Sequence, residues 1–111
     1  MSRIVSNLPI GKYSAVYEVL SNSGGATVPM TYLYFIAPRQ DDEQKALDML
    51  KGLSPFLVTR QPGAIERVQG LKVHARTHDT VYRYSSTAVL REDGEVSPVS
   101  VELTATLDDL Q

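Results

Sequence analysis

The sequence predicts an α+β domain: an antiparallel sheet of about five strands, built as two hairpins, with one α-helix packed on one face in the order ββαβββ. Three observations carry this. Residues 81–107 alternate around Asp93-Gly94, residues 12–36 alternate around Gly24-Gly25, and residues 41–52 carry the start, stripe and stop signals of a helix. The 111 residues fit one domain over 1–111, long enough to bury a core without disulfides.

Residues 1–10 hold Ile4, Val5, Leu8 and Ile10 in a broken pattern, read as coil with a candidate edge strand. From Lys12 to Leu20, Tyr13, Ala15, Tyr17 and Val19 share one face, and Ser14, Val16, Glu18 and Leu20 the other. A turn at Gly24-Gly25 sets Val19 opposite Met30, Tyr17 opposite Tyr32, Ala15 opposite Tyr34 and Tyr13 opposite Ile36. Both faces of this hairpin are apolar enough to be buried, which predicts a central position with something packed on each side.

Asp41-Asp42-Glu43-Gln44 opens the helix, with Asp41 as N-cap and Gln44 completing a capping box. Ala46, Leu47, Leu50 and Leu53 form its buried stripe, Met49 lies at the margin, and Gly52 followed by Pro55 ends it. Extended structure resumes at Phe56, Gln61-Pro62-Gly63-Ala64 reads as a turn, and residues 64–69 fit a short strand or one helical turn, with the strand preferred. Residues 71–78 alternate cleanly as the next strand. In the last hairpin, Glu92 opposite Glu95 places Leu90, Ala88, Ser86, Tyr84 and Tyr82 against Ser97, Val99, Val101, Leu103 and Ala105, with Arg83 and Glu102 as diagonal neighbours on the other face.

A formal charge of -2 and an isoelectric point near 5.6 supply no general field for phosphate backbones, so nucleic acid is a poor expectation. The chain has no Cys, which removes thiolate metal sites and cysteine nucleophiles. No apolar run reaches the ~20 residues of a membrane span, and residues 1–10 lack a secretory apolar core. The expectation is therefore a cytoplasmic protein that needs no membrane, metal or cofactor.

Two constellations stand out. Lys72, His74, Arg76 and His78 form a basic ladder that could receive an anion or an acidic partner, or be a solvated strand face whose charges discourage sheet-to-sheet pairing. His74 and His78, four residues apart on a strand, stand ~13 Å apart, too far for one zinc. His78 beside Asp79 is no dyad with Ser85 or Ser86, because strand neighbours point to opposite faces.

The second constellation is Tyr13, Tyr17, Tyr32 and Tyr34 with Met30 on one expected face, in a chain with six Tyr, two Phe and no Trp. Tyrosine suits surfaces that are apolar at one end and wet at the other. One helix cannot cover both faces of the sheet. The expected function is thus a small non-enzymatic protein-binding module, an adaptor, inhibitor or chaperone-like protein, whose Tyr face closes on a protein partner or a second copy of the chain. Two alternatives stay open: a small enzyme or small-molecule binder using His74, His78 and Arg76 beside a helix–sheet pocket, and a structural subunit of a phage or secretion assembly.

Overall fold

The computed structural model describes residues 3–21 and 30–106. The order is β1 (Arg3–Ile10), β2 (Ser14–Ser21), β3 (Thr31–Pro38), α1 (Glu43–Leu50), β4 (Leu57–Thr59), β5 (Ile65–Gln69), β6 (Lys72–Thr77), β7 (Val81–Tyr84), β8 (Thr87–Glu92) and β9 (Glu95–Ala105). The α+β class holds, with a five-stranded antiparallel sheet β1-β2-β3-β4-β7 and the helix on one face of it. Residues 1–10, read as coil with a candidate edge strand, contain the full edge strand β1. A second, four-stranded sheet, β5-β6-β9-β8, goes beyond the sequence expectation, and within it β6 and β9 run parallel.

The hairpin with two apolar faces is central, as its pattern requires. Toward the helix, Ala15, Tyr17, Val19, Phe35 and Ala37 pack on Ala46, Leu47 and Leu50. Toward the second sheet, Val16, Tyr34 and Leu57 pack on Val73, Ala75, Leu90, Val99 and Val101. The chain therefore builds three layers, helix on sheet on sheet, and the sheet face that one helix could not cover is covered by the chain itself.

The register of this hairpin differs from the expected one. Val19 pairs with Leu33, Tyr17 with Phe35 and Ala15 with Ala37, a slip of three residues. The expected turn at Gly24-Gly25 lies outside the described residues. An odd slip exchanges faces, so Tyr17 turns to the helix while Tyr32 and Tyr34 turn to the second sheet. With both faces apolar, binary pattern imposes no penalty on either register, and the long-range packing partners decide.

The N-cap is Asp42, whose carboxylate accepts from Gln44 N and Lys45 N, one residue later than Asp41. Gln44 turns its amide to Asp48 at 3.0 Å instead of closing a capping box. The helix ends at Leu50, leaving Leu53 outside the stripe and 44 % exposed.

The last hairpin keeps its predicted turn and register: Asp93 and Gly94 both have positive φ, 51° and 76°, and Glu92 pairs with Glu95, Leu90 with Ser97 and Ala88 with Val99. It is shorter than residues 81–107, however. Ser85 N donates to Phe56 O at 2.8 Å in the first sheet, while Ser86 O accepts from Val101 N at 2.9 Å in the second. One peptide unit changes sheets, and the Ser85 hydroxyl donates to Thr87 O at the crossing. Tyr82, Arg83 and Tyr84 therefore lie on β7 beside β4, with Arg83 opposite Val58, and the expected Tyr84–Leu103 and Arg83–Glu102 neighbours are apart.

Candidate functional site

The basic ladder is three residues of a central strand plus one beyond it. Lys72, His74 and Arg76 alternate on the outer face of the second sheet, and His78 lies in the bend after β6, its backbone N donating to the Gln61 side chain. Lys72 Nζ stands 3.5 Å from Glu102, His74 Nδ1 3.3 Å from the same carboxylate, and Arg76 Nε 3.0 Å from Glu66. The Lys72–Glu102 and Arg76–Glu66 contacts are surface ion pairs, each worth ~0–1 kcal/mol. Among the described residues the helix packs on the first sheet and β6 belongs to the second, so His74 and Arg76 do not lie between helix and sheet. Among the described residues, no group of three His, Cys, Asp or Glu side chains is placed to hold a metal, and no helix is long and apolar enough to cross a membrane.

The tyrosines do not share a face. Tyr17 is buried under the helix, donating to Pro38 O and accepting from Gln40 N at 2.9 Å. Tyr34 is buried between the sheets, Tyr32 is half-buried beside it, Tyr13 is exposed in the β1–β2 turn, and Met30 is exposed ahead of β3. The single Tyr surface expected for docking is thus divided by the register slip into two buried sides and two exposed ends.

Tyr34 belongs to a buried polar cluster. Its hydroxyl donates to Glu18 Oε2 at 3.0 Å and accepts from Ala64 N at 3.1 Å. Glu18, only 5 % exposed, also accepts from Ser6 Oγ at 2.9 Å and Gly63 N at 2.7 Å, and no cation among the described residues pairs with it. Burial, with the Glu18 charge adding to it, pushes the Tyr34 phenol far above its ordinary value, so it stays a neutral donor. The cluster ties the crossing between β4 and β5 to the first sheet.

The accessible concavity lies elsewhere, on the open flank between β3 and β8. It is an open groove of about 500 Å³, with Ile36, Ala37 and Pro38 on one side, residues 53–56 as a wall, and Thr87 to Arg91 on the other. It exists because β4 is only three residues long. Arg39 N donates to Tyr13 O, so the odd-numbered residues of β3 bond to β2 and the even ones face away. Tyr34 meets β4 and Phe56 N, but Ile36, two residues on, has its backbone directed into the groove.

β8 repeats the arrangement. The Val101 N to Ser86 O bond assigns the even-numbered residues of β8 to β9, which leaves the backbones of Val89 and Arg91 on the open side. Two unpaired strand edges therefore border an apolar groove. Arg83 and Arg91 line it, both exposed, and neither guanidinium makes a hydrogen bond or ion pair with a described residue. No Asp or Glu lines it.

Sequence reading missed this site because its walls come from residues 14, 36–38, 53–56 and 83–91. No pattern marks it: Leu53 reads as the last member of the helix stripe, and only the end of α1 at Leu50 leaves it to line the groove. No family model, curated protein or solved structure matches the chain.

Proposed function

We propose that this chain is a non-enzymatic protein-binding module that holds an extended segment of a partner protein in the groove between β3 and β8. The observation that carries the reading is the pair of unpaired edges at Ile36 and at Val89 and Arg91, bordering an apolar groove. A sheet edge with open N–H and C=O groups is a template for strand addition, in which main-chain bonds give affinity and flanking pockets select side chains. Half-exposed Leu53 and Val89 and the wall at Pro55 and Phe56 supply such pockets.

The reading keeps the module class expected from the sequence and relocates its surface from the tyrosines to the groove. Selection of a random dodecapeptide library on the immobilised chain, with Val89→Pro as counter-target, tests it. Proline at this edge position removes an N–H that faces the groove and no bond to β9. Selected peptides should bind the wild type and lose the Val89→Pro variant, with the β8–β9 amide spectrum otherwise retained. Failure to select any binder, or binders indifferent to the substitution, removes the groove as the site.

A further inference from the structure

Resting on the groove reading, we infer that the segment it receives is acidic: an extended peptide that adds to the β8 edge and carries carboxylates toward both ends, which Arg83 and Arg91 take.

The chain has 13 Asp and Glu against 11 Lys and Arg, yet the groove lining holds two arginines and no carboxylate. Elsewhere the exposed cations of the described residues include several with partners: Lys12 meets Asp93, Lys51 meets Asp48, Lys72 meets Glu102 and Arg76 meets Glu66. The Arg83 and Arg91 guanidiniums, like the side chains of Arg3, Lys45, Arg60 and Arg67, have none among the described residues, and these two are the ones that line one concavity.

They sit toward its two ends. Arg91 is the penultimate residue of β8, ahead of the Asp93-Gly94 turn, and Arg83 lies on β7 ahead of the Ser85–Ser86 crossing. Thr87 to Arg91 spans ~13 Å of extended chain, so carboxylates at least about four residues apart on the added strand reach both guanidiniums. A carboxylate presents the planar acceptor that a guanidinium fork matches. Phosphate would satisfy the arginines equally well, but a nucleic acid has no amide ladder for the backbones of Val89 and Arg91. The two features together favour a peptide.

Two synthetic decapeptides test the inference, capped at both termini and alternating Val and Thr except at their third and seventh positions, which are Asp in one and Lys in the other. Titration into ¹⁵N-labelled protein, read at the Val89 and Arg91 amides, should show about ten-fold tighter binding of the Asp peptide. In the Arg83→Gln, Arg91→Gln double variant the two peptides should bind alike, and Val89→Pro should weaken both. Equal binding of the two peptides to wild type overturns the acidic assignment and leaves the groove reading standing. If neither moves those amides, both fall. Saturation of the groove by oligothymidine, with the Asp peptide silent, overturns the inference in favour of a phosphate ligand.

Discussion

The carboxylate of Glu92 occupies the space where Gly11 would carry a side chain. It accepts from Lys12 N at 3.0 Å, Tyr13 N at 2.6 Å and Ser14 Oγ at 2.9 Å, while an added Cβ on Gly11 would stand 2.6 Å from Oε1. Gly11 also has φ +65°, which only glycine adopts freely. The end of the β8–β9 hairpin is thereby latched to the β1–β2 turn, which joins the second sheet to the first next to Ser14 at the groove.

Gly11→Ala should destabilise the fold by ~1–2 kcal/mol through φ alone, and further by displacing the carboxylate. Urea unfolding of Gly11→Ala, Glu92→Gln and the double variant checks the coupling. The two losses should be less than additive, since each removes the same latch.

The backbone N–H of Lys12, then that of Tyr13, hold the Glu92 carboxyl below its ordinary value of 4.5. A carboxyl whose pKa is lowered in the folded state binds fewer protons there than in the unfolded chain. Its contribution is complete above about 4.5 and is lost as pH falls through the lower folded value. Stability measured by urea from neutral pH downward should fall more in wild type than in Glu92→Gln below that point. Parallel curves would remove Glu92 from the acid response.

Tyr34→Phe should cost ~1–3 kcal/mol, because the ring stays while Ala64 N loses its acceptor and Glu18 one of its donors. Tyr82 is 50 % exposed and its hydroxyl makes no hydrogen bond with a described residue, so Tyr82→Phe should be neutral within ~0.5 kcal/mol. Thermal unfolding of the pair distinguishes a buried polar tie from an edge tyrosine.

Leu50 is fully buried where α1 meets the sheet. Leu50→Ala should lower stability by ~2–5 kcal/mol. The exposed Leu53→Ala should leave stability within ~0.5 kcal/mol. Because Leu53 lines the groove, that second variant should instead weaken peptide capture, read with any peptide selected on the wild type.

What the sequence determined by itself is local. Asp93-Gly94 sets its own turn and the register of the strands beside it, because two positive φ values permit one geometry and a slip would expose Leu90 and Val99. The helix over residues 43–50 and the burial of both faces of the first hairpin were legible in the same way, from spacing and stop signals, whereas residues 65–69, a strand in the structure, fit strand and helical spacing alike. The tertiary structure decided what local pattern leaves degenerate. Where both faces of β2 and β3 are apolar, only the helix on one side and the second sheet on the other distinguish one register from the next, and that choice separates Tyr17 from Tyr34. The passage of Ser85–Ser86 from sheet to sheet, and the short β4 that leaves Ile36 beside an open groove, depend on partners tens of residues away. The site belongs to that second kind: no residue in it is unusual alone, and its chemistry arises from which strand edges the packing leaves unpaired.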